Sequence, residues 1–378
     1  MSNYEINGFV FVKCPADCVE VTIPNGIKEI AGRAFENCTK LKSIHFNDEL
    51  EIIKQYAFNG CSSLKEIVLN EGLKTIVDCA FINCSSLKSV YIPSSLEEFV
   101  LFDNYFSIFE GCQNINSITI GDGNKRYSSL NSNVIFDLDK ATLLFGCSNS
   151  TIPPQTKTIG CRAFYKQNLL KNIDLPDGLL SIENQAFYGC FQLRELSIPK
   201  SVMKIDSSAF IATNLESVKV DSNNLVFEEI DNVIINKENK STILSAKNAI
   251  VPEDVVIIGK YSFAYNNLKR ITIPHSVKIV DDKAFIGSKA EEIVVQEGVL
   301  EIGSAAFREC QNLKTVYLPH SLLNNIDFEM DFGIANNAFF MCPSLSLIVF
   351  DGTKKEWKML CSECGLSFKQ VEIICNKD

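Results

Sequence analysis

Cysteine is the residue type with the most scope for chemistry in this chain, with fifteen copies among 378 residues. Two groups have the spacing of metal sites or disulfides: Cys14 with Cys18, and Cys361 and Cys364 with Cys375. A single C-x-x-C motif is half of a zinc site, and no histidine lies near it in sequence. The spacing alone leaves free thiols, a disulfide and a metal ion open for each group, and we expect free thiols and no metal.

Histidine, the usual acid–base residue, occurs three times. His275 and His320 each follow a proline in the same Pro-His-Ser context, which predicts a turn role. His45 falls on a predicted strand surface, where it could contact a ligand. The sequence has no G-x-S-x-G motif, no phosphate-binding P-loop and no serine with an evident histidine and aspartate partner. We therefore predict a protein that is not an enzyme and uses no cofactor.

The net charge and the distribution of apolar residues argue against several classes of binding partner. The formal net charge of −10 argues against binding to nucleic acid or to an anionic membrane surface. No stretch approaches the roughly 20 consecutive apolar residues of a membrane-spanning helix, and the first residues lack the basic and apolar regions of a secretory signal. The 46% of hydrophobic residues is ample for a packed core.

Most of the cysteines belong to an internal repeat that also explains the 26 phenylalanines. A small residue followed by phenylalanine recurs ten times, with steps of 22 or 23 residues within each of three runs, and Ile108-Phe109 is a weaker eleventh copy. Isoleucine or valine stands five residues before the phenylalanine in ten of the eleven copies. The repeat phenylalanines are Phe35, Phe58, Phe81, Phe109, Phe164, Phe187, Phe210, Phe263, Phe285, Phe307 and Phe339. Three residues later, seven copies have a cysteine: Cys38, Cys61, Cys84, Cys112, Cys190, Cys310 and Cys342.

A repeat of this length is too small to bury its own apolar face, so the copies must stack. The alternating residues after each cysteine predict short strands with one face inward. We expect a mostly β solenoid of about 11 coils, with the phenylalanines stacked as a spine and the cysteines as a structural ladder.

Two segments interrupt the repeat and have the pattern of β-hairpins. A single domain over residues 1–378 is predicted, and longer loops are expected at 94–108 and 320–337. The predicted parts are an N-terminal hairpin cap at 1–24, repeats at 25–120, a hairpin insert at 121–153, repeats at 154–220, a second insert at 221–252, repeats at 253–350 and a C-terminal cap at 351–378.

The repeat unit [I/V]-x-x-x-A-F-x-x-C-x-x-L-x-x-[I/V]-x-[I/L]-P resembles the BspA-like, or Treponema-type, leucine-rich repeats of bacterial surface proteins. Residues 350–357, with Gly352, Thr353 and Trp357, are similar to an element that closes many members. The resemblance implies a right-handed solenoid with a parallel sheet on its concave side. It also implies adhesion to host proteins or other bacteria, and a location at the cell surface or outside the cell.

The strand pattern predicts which side chains could contact a ligand. Residues two and four positions after the leading leucine of each strand should point outward. From this row we select His45, Tyr91, Lys219, Arg270 and Tyr317 as candidate ligand-binding residues. The row is mostly small, neutral and β-branched, which favours an extended protein ligand and a monomeric scaffold. A carbohydrate-binding module with exposed aromatic residues and an intracellular scaffold remain as alternatives.

Overall fold

Almost every regular element of the chain is a β-strand of two to five residues. The computed structural model describes residues 4–101, 108–324, 333–368 and 371–377. Residues 102–107 and 325–332, which belong to the two predicted longer loops, therefore lie outside the described residues. The chain divides into two compact units, Met1–Leu193 and Arg194–Asp378.

The first unit contains sixteen strands within its described residues. They are β1 (Glu5–Asn7), β2 (Val10–Lys13), β3 (Glu20–Thr22), β4 (Glu29–Ile30), β5 (Ser43–His45), β6 (Ile52–Ile53), β7 (Glu66–Val68), β8 (Thr75–Val77), β9 (Ser89–Ile92), β10 (Glu98–Val100), β11 (Ser117–Ile120), β12 (Tyr127–Ser128), β13 (Val134–Asp137), β14 (Thr142–Gly146), β15 (Thr158–Ile159) and β16 (Ser181–Ile182).

From β3 to β11, successive strands of the first unit alternate between two sets of parallel pairings. The first sheet follows the order β1-β2-β4-β6-β8-β10, and the strands that alternate with these pair as β3-β5 and β11-β9-β7. The hairpins are part of the stack, because β2 pairs in parallel with β4 and β14 with β15. A strand of the N-terminal hairpin and a strand of the first predicted insert thus each continue a sheet of the stack.

The second unit contains the remaining strands and both helices of the described chain. They are β17 (Glu195–Ile198), β18 (Lys204–Ile205), β19 (Ser217–Val220), β20 (Phe227–Ile230), β21 (Val233–Asn236), β22 (Thr242–Ser245), β23 (Ile257–Ile258), β24 (Arg270–Ile273), β25 (Ile279–Val280), β26 (Glu292–Val295), β27 (Glu301–Ile302), β28 (Thr315–Leu318), a 3₁₀-helix (His320–Leu323), β29 (Gly333–Ile334), β30 (Leu347–Phe350), α1 (Lys354–Glu363) and β31 (Glu372–Cys375).

The second unit repeats the same plan. Two-residue strands form the sheet β23-β25-β27-β29, and four-residue strands form the sheet β24-β26-β28-β30-β31. Strands β20, β21 and β22 form an antiparallel insert. Neither helix in the described part of the chain has the length and apolarity that crossing a bilayer requires.

The core of each unit is a column of stacked aromatic rings. In the first unit Phe35, Phe58 and Phe81 stack with centroids 4.8 and 5.0 Å apart. In the second unit Phe285 and Phe307 stack at 5.4 Å. One ring per coil fills the space between the two sheets, and this regular burial accounts for the high phenylalanine content.

The fold is the mostly β, parallel-sheet solenoid that the repeat predicts. Counted over the described residues it has about 15 turns rather than 11. The predicted number was too low because it counted only coils with the repeat phenylalanine. Cap and hairpin strands pair with neighbouring coils and add turns of their own.

Candidate functional site

The exposed faces of the longer strands bring several candidate residues into regular rows. In the first unit, Thr22 pairs with His45, and Tyr91 pairs with both Val68 and Thr119. His45 is exposed, whereas Tyr91 is half-buried. The two predicted residues of this unit thus lie on one strand face.

Tyr91 is held in place by a hydrogen-bond network. Its hydroxyl donates to Glu71 Oε1 at 2.6 Å, and Ser94 Oγ donates to Glu71 Oε2 at 2.8 Å. The bond to Glu71 raises the pKa of Tyr91, and the same donors lower the pKa of Glu71. The hydroxyl of Tyr91 is therefore already hydrogen-bonded within the chain.

The second unit presents a more apolar row, which we call the C-terminal row. Backbone pairing places its members side by side on five adjacent strands. They are Thr272, Val294, Tyr317, Val349 and Ile374. Tyr317 is 37% exposed and Ile374 is 42% exposed, whereas Val349 is 9% exposed although its register position is outward.

Charged candidates lie beside this row or on an earlier strand of the same unit. Arg270 is exposed on β24 and pairs with Glu292 at 3.2 Å. Lys219 is exposed on β19, whose pairing partner is β17. Salt bridges this exposed contribute little to stability, so breaking the Arg270 pair to bind a ligand would cost the fold little.

The predicted ladder cysteines donate to backbone carbonyls, and all of them except the half-buried Cys342 are buried. Cys61, Cys84 and Cys112 donate to the carbonyls of Phe35, Phe58 and Phe81, respectively, at 3.0–3.2 Å. Cys190, Cys310 and Cys342 make the same contact with Phe164, Phe285 and Phe307 at 3.1–3.5 Å. Burial raises the pKa of Cys190 to about 12, so this thiol stays protonated at neutral pH.

Two phenylalanines outside the repeat motif extend the predicted phenylalanine spine. Every predicted member is buried except Phe339, which is half-buried and stacks on Phe307 at 5.3 Å. Phe11 stacks on Phe35 at 5.0 Å, and Phe145 packs against Phe109 at 5.4 Å. Sequence reasoning missed Phe11 and Phe145 because hairpins lack the repeat motif, although the alternation around each indicated a buried face.

Two left-handed residues bracket eight of the eleven repeat phenylalanines, and these also escaped the sequence reasoning. Around Phe58 they are Tyr56, with φ 59°, and Gly60, with φ 75°. A Cβ at Gly60 would lie 2.6 Å from Asn37 Oδ1 of the preceding coil. Asparagine or glycine two residues after the phenylalanine was the available signal, because both tolerate this conformation.

The three cysteines nearest the N-terminus form the one cluster in the described residues whose geometry suits a metal ion. The sulfur atoms of Cys14, Cys18 and Cys38 all lie within 4.8 Å of one another. Hydrogen bonds from Cys14 and Cys18 lower the pKa of Cys38 to about 7. The spacing in the sequence grouped Cys14 with Cys18, and the repeat placed Cys38 in the ladder, so the three were not expected to lie together. At the other end, Cys361, Cys364 and Cys375 are half-buried.

The repeat sequence has a recognisable counterpart among known families. The family described as a BspA type leucine rich repeat region matches in six copies, over residues 4–134, 144–239 and 233–367. No curated protein matches the chain.

Several solved structures are similar to this chain, and the one with a TM-score above 0.5 shares its fold. A leucine-rich repeat protein from Eubacterium ventriosum is similar with a TM-score of 0.56 and 23% identity, over 77% of this chain and 76% of that one. A leucine rich cell surface protein from Faecalibacterium prausnitzii has a TM-score of 0.47 and 21% identity, over 95% and 79%. Pneumococcal vaccine antigen PcpA has a TM-score of 0.44 and 19% identity, over 99% and 96%.

Proposed function

Because the chain belongs to the BspA-type leucine-rich repeat family, we propose that it is a non-catalytic scaffold that binds a protein ligand at the bacterial surface, in the manner of an adhesin. A stacked repeat presents a rigid array of side chains, so little conformational freedom is lost on binding. The repeated strand faces supply such an array in each unit.

The observation that carries the proposal is the C-terminal row. Val294, Tyr317 and Ile374 are its partly exposed apolar members, and the buried Val349 lies between Tyr317 and Ile374. Neighbouring strands lie roughly 4.8 Å apart, so the row from β24 to β31 spans about 19 Å. Exposed apolar surface with a polar margin is typical of protein-binding sites, and Arg270 with Glu292 supplies that margin.

The chemistry of the row favours a protein over a sugar. Sugar rings bind well to flat aromatic faces, and Tyr317 is the only aromatic residue among the five members of the row. Valine and isoleucine instead match the aliphatic and aromatic side chains of a protein surface. Tyrosine is common at binding hot spots because it combines a large contact area with few rotatable bonds.

Arrays of purified host extracellular proteins and of glycans test the class of ligand directly. We expect the full chain to bind one or more proteins in a saturable manner, and we expect the Tyr317→Ser variant to lose that binding. The Lys140→Ser variant, changed at an exposed hairpin tip, is the matched control and should bind as the unmodified chain does. Saturable binding to glycans alone would contradict the proposal.

A further inference from the structure

Cys38 differs from the rest of the cysteine ladder in what its thiol contacts. The other six ladder cysteines each donate to the carbonyl of a spine phenylalanine at 3.0–3.5 Å. Cys38 instead lies 3.7 Å from the carbonyl oxygen of Pro15. At the N-terminal cap, Cys14 and Cys18 face it in place of a further ladder turn. The ladder therefore ends in three thiols around a common point.

We propose that Cys14, Cys18 and Cys38 form a three-thiolate centre that binds a thiophilic d¹⁰ metal ion, Zn²⁺ or Cu⁺, and ties the N-terminal cap to the first coil. Thiolates are the protein ligands that select these ions. Each ligating thiol would release its proton to solvent when the metal binds.

The spacing of the three sulfur atoms suits a metal ion. A Zn–S bond of about 2.3 Å in tetrahedral geometry places ligand sulfur atoms roughly 3.8 Å apart. The observed upper limit of 4.8 Å requires each sulfur to close by about 1 Å or less, which small side-chain rotations can supply. A disulfide would join two of the thiols at about 2.05 Å and leave the third buried beside them.

The backbone around the cluster is already fixed by hydrogen bonds. The amide of Cys14 donates a hydrogen bond to the Ala34 carbonyl at 2.9 Å, and the amide of Cys18 donates one to the Pro15 carbonyl at 3.2 Å. Lys13, the residue before Cys14, is anchored as well, because its Nζ donates to the Arg33 carbonyl at 2.9 Å. Cys14 and Cys38 are buried, and Cys18 is partly exposed as a residue.

Titration with Co²⁺, a spectroscopic substitute for zinc, tests the site on the full chain after anaerobic reduction and removal of metal. We expect one equivalent to bind with a sulfur-to-cobalt charge-transfer band, and we expect Zn²⁺ or Cu⁺ to displace it. The two displacement titrations show which ion binds more tightly. The absence of the band would overturn the proposal.

Matched variants locate the site. Cys18→Ser should abolish the band and weaken Zn²⁺ binding by more than about 100-fold, because losing a ligand should exceed the 10–100-fold cost of losing an outer-shell partner. Cys361→Ser, at another partly exposed cysteine, should leave both unchanged. A band that survives Cys18→Ser, or disappears in Cys361→Ser, would place any metal elsewhere.

Two further measurements keep the proposal falsifiable. Zn²⁺ should raise the Tm of the unmodified chain and leave that of Cys18→Ser unchanged, since an ion that binds only the folded state stabilises it. Peptide mapping of protein never exposed to reductant should show no linkage among the three cysteines. A Cys14–Cys18, Cys14–Cys38 or Cys18–Cys38 disulfide would overturn the metal assignment.

Discussion

At the scale of single residues, the aromatic spine dominates the stability of each unit. Phe187 is fully buried and stacks on Phe164 with ring centroids 5.1 Å apart. Its ring contacts neighbours on every side, so its removal would leave a cavity that the flanking coils cannot fill without losing their strand pairing. The positions of the spine residues could be predicted from the sequence, because the repeat places a phenylalanine at the same point of successive 22- or 23-residue units.

Truncation of this ring should therefore be costly. Phe187→Ala is expected to lower the free energy of unfolding by about 3–5 kcal/mol, measured by urea denaturation. Phe191→Ala, at a ring that is 47% exposed four residues away, is the control and should change stability far less. Equal stabilities of Phe187→Ala and the unmodified chain would show that the spine is wrongly placed.

Asp78 is a buried acid that the repeat pattern did not reveal. It is fully buried, and neither carboxylate oxygen has a hydrogen-bond partner among the described residues. Burial raises the pKa of Asp78 to about 6; the neighbouring Cys79 and, more weakly, Arg162 oppose this rise, and Glu110 adds to it. The position precedes a left-handed turn residue, Cys79, and only the packed structure shows that the side chain points inward.

The sign of the resulting pH dependence is fixed by the direction of the shift. The unfolded carboxyl has a pKa of about 3.9, so between pH 4 and pH 6 the folded chain binds more protons and stability falls as pH rises. We expect Asp78→Asn to be more stable than the unmodified chain at pH 8, by on the order of 2 kcal/mol, and nearly equal to it at pH 4. A difference that does not vary with pH would contradict the assignment, and Asp48→Asn, at an exposed carboxylate, is the control.

At the scale of elements, helix α1 closes the core of the second unit. Thr353 is its N-cap and forms a capping box with Glu356, whose side chain accepts from the Thr353 amide at 2.8 Å. Trp357 and Leu360 are buried from the same helix, and Trp357 packs on Phe350 at 5.5 Å. The resemblance of residues 350–357 to a closing element located this cap, but the helix itself was not predicted from the sequence.

Removal of the cap should weaken this element measurably. Thr353→Ala is expected to reduce the free energy of unfolding by about 1 kcal/mol, since an N-cap oxygen satisfies an otherwise unpaired amide. Thr353→Ser retains the hydroxyl and should remain close to the unmodified chain in thermal denaturation. A Thr353→Ala variant as stable as Thr353→Ser would mean that the capping box contributes nothing.

The strands show where sequence reasoning reaches its limit. Alternation placed His45, Tyr91 and Tyr317 on outward faces, because a period of two fixes which side a residue occupies. It could not show that Glu71 holds the hydroxyl of Tyr91, since that contact joins different coils. Nor could it bring Cys38 to Cys14 and Cys18, because their proximity depends on how the cap strand pairs with the first coil.

At the scale of the whole molecule, the ladder thiols donate to backbone carbonyls, and we expect a fold that holds without covalent crosslinks. Adding a reducing agent to metal-free protein should leave the Tm within about 2 °C of its value without reductant, because no stabilising crosslink would be lost. A disulfide typically contributes 2–4 kcal/mol, so its reduction would lower the Tm by several degrees. Differential scanning calorimetry checks this. A fall of many degrees would reveal crosslinks that form in an oxidising compartment.

The most direct test of the proposed binding surface is the affinity of matched variants for a protein ligand identified on the array. Surface plasmon resonance should show that Tyr317→Ser weakens binding more than tenfold, while its Tm stays close to that of the unmodified chain. Lys140→Ser should change neither quantity. If Lys140→Ser instead abolished binding and Tyr317→Ser left it intact, the ligand would bind the hairpin insert, and the C-terminal row would not be the binding surface.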